Sequence, residues 1–340
     1  MEKELKPIKQ GPAVHGKSQL QLLMLKVVLA LSPALIWAFY VFGWAAFIAL
    51  MLTCVSGFVF EWVALRLRSR GRTRQAYDGS GLLSCILLAM SLPPMGPWWL
   101  YVLGSFVSIV ITKQLFGGLG QNVFNPAMSA RVFLLLSCPA YMTAWLDPDK
   151  KAGLVDTLRY MFIDWHRESY DALTTATTLD AWRNAKLTGL PLPQPELTDM
   201  FVGSTAGSMG EVSAMLLLLG GMYLLFSGII RWHLPAGFLA GVMLPATLFW
   251  LLGPEGTHLS PLVYLVAGST MMGAFFIVTD PVTAPVTPHA RFVFAFLIGA
   301  LSYLIPAYGL YPVGLSFAVL LMNSTVPLLE RLFRPRIFGR

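Results

Sequence analysis

The string Asp171-Ala172-Leu173-Thr174-Thr175-Ala176-Thr177 sets three hydroxyl side chains and a carboxylate close together in the one long hydrophilic insert of an otherwise apolar chain. A threonine hydroxyl is a poor nucleophile at neutral pH unless a base activates it. Residue chemistry therefore leaves two readings: the side chains bond back to the backbone and shape turns, or one hydroxyl is an attachment point loaded by another enzyme. A second group consists of acids within or beside apolar runs, where an uncompensated carboxylate costs at least a few kcal/mol and so needs a partner or a task. Glu61 precedes Arg66 by about a turn and a half and reads as its interfacial partner. Asp78 and Glu211 stand where apolar runs begin, a place the helix dipole favours for an acid. Asp280 ends an apolar run, precedes Pro281 and is flanked by Thr279 and Thr283. It is the sharpest candidate for coupling chemistry, with an edge turn as the alternative.

These residues are carried by a membrane protein. The 340 residues are 56% hydrophobic and 12% charged, with a mean hydropathy of +0.65, well above a soluble domain. About 20 apolar residues cross a bilayer as a helix, and about ten such runs are present. They begin near Leu22, Trp44, Leu82, Trp98, Ala127, Val212, Leu234, Leu259, Arg291 and Leu310. The expected organisation is a tail over 1–21, a first transmembrane half over 22–144, an insert over 145–210, a second half over 211–330 and a tail over 331–340. No removable signal peptide is evident before Lys17. Cys54, Cys85 and Cys138 lie in apolar runs without metal-ligand spacing and read as buried small residues.

The net charge of +7 marks orientation rather than a nucleic-acid surface. Lys3, Lys6, Lys9 and Lys17 precede the first run, and Arg66, Arg68, Arg70, Arg72 and Arg74 follow the second. Lys113 and Arg131 flank the fourth connection, Arg231 and Arg291 lie in later even-numbered ones, and Arg331, Arg334, Arg336 and Arg340 close the chain. All of these agree with cytoplasmic termini and an insert outside, which in a two-membrane bacterium is the periplasm. The insert is an excursion rather than a folding unit, because the tract Pro191-Leu192-Pro193-Gln194-Pro195 and its scattered polar residues offer little core.

Gly79-Ser80, an apolar run, Pro93 and Pro97 are echoed by Gly268-Ser269, an apolar run, Pro281 and Pro285. Likewise Phe124-Asn125-Pro126 is echoed by Leu310-Tyr311-Pro312. Five runs separate each pair, and five is odd, so the second copy is inverted. The plainer alternative is that Gly, Ser and Pro are common at membrane helix ends. If the repeat holds, Asn125-Pro126 and Asp280-Pro281 are its helix breaks, since proline lacks an amide donor and disfavours helix before it. Asp280 would then face the repeat partner around Pro93. The block from Gly117 to Pro126 is a glycine-rich connection with amides at Gln121, Asn122 and Asn125, and lacks the Lys-Ser/Thr of a nucleotide loop. It serves either close helix packing or the holding of a ring or an ion.

The Asp171–Thr177 string is similar to the D-x-x-[ST]-x-A-T signature on which membrane flavin subunits of Rnf and sodium-pumping NADH:quinone oxidoreductase complexes carry FMN, with Thr175 where Gly or Ser is usual. Further blocks resemble the D subunits of the Rnf-type ion-translocating electron transport complexes over nearly the whole chain: Tyr77-Asp78-Gly79-Ser80, Gly117 to Met128, Gly207 to Ser213, Ala274 to Thr283, and Phe317 to Asn323. The short N-terminal tail fits these D subunits better than the B subunits of the sodium-pumping reductases, and Ala290 stands where glycine is more frequent.

The resemblance implies an all-α polytopic membrane protein of about ten helices in two inverted five-helix repeats. It implies an inner-membrane translocase component coupling electron flow between ferredoxin and NAD to sodium or proton movement, alongside the A, B, C, E and G subunits of such a complex in membrane lipid. It implies FMN joined to Thr177 as a phosphothreonine ester by a separate flavin transferase, with Asp171, Thr174 and Ala176 shaping the loop and no catalytic side chain in this chain. A second, non-covalent riboflavin is a family feature that the Gly117–Pro126 block could hold, and Asp280 and Asn125 are the candidates for ion or flavin coupling. The rival classes are the B subunit of the sodium-pumping reductase, a solute channel or transporter on the same architecture, and a purely structural scaffold.

Overall fold

A computed structural model of the chain describes residues 17–68, 79–148, 152–164, 174–175, 177–188, 196–203, 205–254, 258–267, 269–309 and 314–334. Asp78, Asp171, Ala176 and both chain ends lie outside the described residues.

The first half opens with two long helices, α1 (Lys17–Phe42) and α2 (Trp44–Arg68), separated by Gly43 alone. Gly43 has φ +61°, a left-handed conformation that lets the chain turn back at once and costs a glycine little. Then come α3 (Ser80–Ser91), α4 (Trp98–Phe106), which runs on as π-helical turns through Val107–Gln114, and α5 (Pro126–Ser137). After the short α6 (Pro139–Met142), strand β1 (Trp145–Leu146) pairs antiparallel with β2 (Thr174–Thr175). The polar insert adds α7 (Leu154–Phe162), α8 (Thr178–Thr188) and α9 (Leu197–Val202). The second half comprises α10 (Ala214–Phe226), α11 (His233–Leu252), α12 (Pro261–Val266), α13 (Ser269–Met272) continuing as a π-helical segment over Gly273–Ile277, α14 (Pro288–Tyr308) and α15 (Leu315–Leu332).

Among the described residues, five helices are long and apolar enough to cross a membrane: Leu20–Phe42 within α1, then α2, α11, α14 and α15. Three shorter apolar helices, α3, α5 and α10, accompany them. The apolar run expected near Leu259 is divided, because Ala267 is extended and ends α12 before α13 begins. Large side chains such as Leu25, Ile36, Leu67 and Phe226 point outward, as a surface bathed in lipid requires.

Lipid offers no hydrophobic drive between helices, so close contact needs small residues. A Cβ on Gly241 would fall on the Phe296 carbonyl of α14, and one on Gly299 would fall on the Phe238 carbonyl of α11. Gly220 lies in the same way against the Ala30 carbonyl, joining α10 to α1. The insert is not detached. Trp37 Nε1 donates to the Gly203 carbonyl at 3.0 Å, the Arg183 guanidinium donates to the Gly309 carbonyl, and Trp98 and Phe162 stack with centroids 6.5 Å apart. Met161, Trp182 and Met200 join the same buried core as the membrane helices.

Candidate functional site

Thr177 sits one residue before α8, and its carbonyl accepts the Ala181 amide at 2.8 Å. Pairing of Thr174 with Leu146 and of Thr175 with Trp145 ties the threonine string to the end of the first half. The half-buried Thr177 side chain lines a cavity of about 100 Å³ together with Trp145, Trp182, Arg183, Glu211, Tyr264 and Tyr303. The two tyrosine rings meet edge to face, with centroids 4.8 Å apart. The wholly buried Trp145 carries an indole Nε1–H with no hydrogen-bond partner among the described residues. An aromatic wall, a guanidinium and an unspent donor suit a planar ligand edged with hydrogen-bond acceptors.

Glu211 is not the cap of the following helix. Ser213 takes that place, its hydroxyl accepting from the Leu216 amide. Glu211 instead accepts from the Ser208 amide at 3.3 Å and lies 3.6 Å from the Arg131 guanidinium. Arg131 is correspondingly not an interfacial charge. It is 1% exposed, inside α5, and serves the acid at the cavity wall.

A second cavity, about 120 Å³, is lined by Met24, Ser80, Lys113, Asn122, Asn125 and Asp280 among others. Met24 and Trp37 are thirteen residues apart on α1, about 20 Å of helix. With Trp37 bonded to the insert, the two cavities lie toward opposite ends of the bundle. The two proline steps singled out in the sequence meet here: Asn125 Nδ2 donates to Asp280 Oδ2 at 3.3 Å. The Asn125 side-chain oxygen caps α5 by accepting from the Ala127 and Met128 amides, with Pro126 in the first turn where no amide is needed. Asp280 also accepts from the Val282 amide at 3.0 Å and the Thr283 hydroxyl at 3.2 Å. Its partner across the fold is therefore Asn125. The Pro93 carbonyl is engaged elsewhere, by the Tyr101 hydroxyl at 2.9 Å.

A family model described as the NQR2, RnfD, RnfE family matches residues 7–339. The chain belongs to that family. The D subunit of the ion-translocating oxidoreductase complex of Escherichia coli O17:K52:H18 (strain UMN026 / ExPEC) is 41% identical over 345 residues, covering 98% of each chain. The protein of the same description from Salmonella enteritidis PT4 (strain P125109) is 41% identical with the same coverage. That of Escherichia coli (strain SE11) is 40% identical.

Within this NQR2, RnfD, RnfE family chain, the structure separates residues that sequence reasoning had grouped. Thr177 and Glu211 share one cavity, while Asn125 and Asp280 share the other. Glu61 pairs with Lys113, not with Arg66, whose guanidinium lies 5.1 Å over the Trp62 ring. Gly117, Gly118 and Gly120 all have positive φ, so they form the tight turns after the π-helical segment rather than a helix-packing stripe. Arg131 carried a usable signal, a cation between Ala130 and Val132 five places into a proline-started run, whereas Lys113 stands between the polar Thr112 and Gln114 and carried less. That Glu211 and Glu61 would be their partners had no signal in the sequence. Among the described residues, no group of three or more His, Cys, Asp or Glu could hold a metal ion.

Proposed function

We propose that the chain is the membrane-embedded D subunit of an ion-translocating oxidoreductase complex of a bacterial inner membrane, coupling electron transfer between ferredoxin and NAD to ion movement. The reading rests on relatives of that description that are 40–41% identical end to end. Thr177 carries FMN through a phosphothreonine ester made by a separate flavin transferase, and acts only as the anchor. What supports this is that Thr177 opens onto the aromatic cavity. A phosphate there would also lie at the positive end of the eleven-residue α8, a favourable place for an anion. Bound flavin supplies one- and two-electron chemistry. Trp145 Nε1–H would donate to it, Tyr264 and Tyr303 would wall the ring, and Arg183 would offset negative charge. Asp171, Thr174 and Ala176 present the loop.

The second cavity is the place for the non-covalent riboflavin or the coupling ion, with the joined Asn125 and Asp280 as the observation in favour. Both termini are cytoplasmic and the 145–210 insert is periplasmic. Withdrawing the buried Lys113 and Arg131 from the tally leaves every remaining cluster in agreement. Ten spans in inverted halves are supported by matching packing: α2 on α4 corresponds to α11 on α14, α4 on α5 to α14 on α15, and α1 meets its counterpart α10. The A, B, C, E and G subunits complete the assembly.

Peptide mass spectrometry of the chain, from cells also expressing the flavin transferase, is expected to find one FMN phosphoester at Thr177. An adduct at Thr174, Thr175 or Thr178, or covalent fluorescence surviving in Thr177→Ala, overturns the anchor. A chain wholly free of flavin favours the channel or scaffold readings.

A further inference from the structure

In the polar insert, the outer side of α7 is not polar. Thr157 and Met161 of this helix are buried, and Met161 joins the core shared with the membrane helices. Leu154, Val155, Leu158 and Phe162 are exposed, Val155 to 75%. At about 100° per residue, these four fill an arc of about 100° directly beside the buried face. Asp156 and Arg159 stand beyond the other edge of that arc, and Arg159 Nε donates to Asp164 Oδ2 at 2.6 Å. The helix thus has three sides: one packed on protein, one apolar and exposed, one charged.

The height of α7 follows from its neighbours. It packs against α2, and the Phe162 ring stacks at an interplanar angle of 7° on Trp98, the first residue of α4. Ser105 donates to the Thr53 carbonyl and Lys113 to Glu61, each pair 52 residues apart, so α4 and its π-helical turns run parallel to α2 with a constant offset. That offset sets Trp98 level with Ala46, beside Trp44 at the start of α2. Both indoles are exposed, at the opposite end of α2 from Arg66 and Arg68. Exposed tryptophans where apolar spans begin mark the boundary between headgroups and acyl chains. The exposed face of α7 therefore continues the lipid-facing surface at its rim.

We propose that α7 is an in-plane membrane helix, seated by Leu154, Val155, Leu158 and Phe162 between the headgroups and acyl chains of the leaflet on the insert's side. Asp156 and Arg159 face water. The partner is the lipid surface and not one headgroup, since a nine-residue helix with one acid and one base has no net charge to select anionic lipid. Four side chains are also far short of the roughly 20–30 residues a side that a stable protein interface uses. The bilayer then holds the insert together with Trp37 and Arg183, which fixes the height of the Thr177 cavity over the membrane.

The test places an environment-sensitive fluorescent amino acid, by codon suppression, at Val155 or at Arg159, with the whole complex purified into nanodiscs. Both side chains are exposed, so the probe leaves the packed face intact. At Val155 the probe is expected to lose most of its emission to phospholipids brominated near the glycerol end of their acyl chains, and little to aqueous iodide. At Arg159 the order reverses. Discs of phosphatidylcholine and of phosphatidylglycerol should give the same loss at Val155. Quenching at Val155 by iodide alone puts the face in water and overturns the proposal. Protection from both quenchers means that a protein covers the face, and overturns it equally. Loss at Arg159 to brominated lipid removes the in-plane orientation, and loss at Val155 confined to phosphatidylglycerol makes a headgroup the ligand in place of the lipid surface.

Discussion

Arg131 illustrates what a buried charge demands of its surroundings. Its guanidinium is sealed inside α5, with Glu211 at 3.6 Å as its counter-charge. Removing one member of such a pair strands the other and costs about 3–5 kcal/mol, whereas removing both is often tolerated. Arg131→Met is therefore expected to lower the thermal midpoint of the purified protein sharply, and Arg131→Met with Glu211→Gln to recover most of the loss. Equal destabilisation in the single and double variants would show that the pair is not the source. At the opposite cavity, Asp280→Asn keeps size and one acceptor for the Val282 amide while removing charge. The complex is expected to assemble with full covalent flavin, because Thr177 lines a different cavity, yet to lose ion-dependent electron transfer in reconstituted vesicles. Undiminished sodium and proton transport would end the coupling role of Asp280.

Among the elements, α11 and α14 make the closest extended approach, with Gly237, Gly241 and Gly299 each set where a Cβ would meet backbone of the other helix. Overpacking at such a contact costs about 1–3 kcal/mol. Gly241→Val is expected to destabilise the chain by this order in a fluorescence-detected thermal melt. Gly228→Val is a poor control, since Gly228 has φ +68°. The better comparison is a lipid-facing change such as Leu244→Val, which should shift the midpoint far less. A melt insensitive to Gly241→Val would mean the helices can part without loss. The same logic explains why the elements break where they do. Asn125 caps α5 and Pro126 fills its first turn, so the break expected from the sequence became a well-satisfied helix start facing Asp280.

The whole molecule has an orientation that its two cavities inherit. The proposed orientation, with the insert outside, is tested by an engineered cysteine at Gln194→Cys, expected to react with an impermeant maleimide added to intact cells stripped of their outer membrane. One at Ser69→Cys should react only after lysis. The reverse pattern would place the Thr177 cavity on the cytoplasmic side and overturn the proposed orientation. The docking of Arg183 on Gly309 and of Trp37 on Gly203 makes the insert part of this body, so a cofactor on Thr177 would be held against α14 rather than on a tether.

Local chemistry along the chain was enough to assign the class of this protein and to mark the residues to watch. Hydropathy over runs of about 20 residues is a local property, and so are proline steps and the threonine signature, which is why Asn125, Asp280 and Thr177 could be singled out as candidates from the chain alone. Chain order also suggested partners by nearness, and there it misled. Arg66 is close to Glu61 along the chain, but Lys113 reaches it across helices, and Glu211 resembled a cap until Arg131 met it from α5. A buried charge is neutralised by whatever lies opposite in space, and the order of residues does not record which helix that will be. It is the packing of the helices that puts Thr177 in a cavity with Glu211, brings Asn125 to Asp280, and sets Lys113 between a buried carboxylate and a cavity.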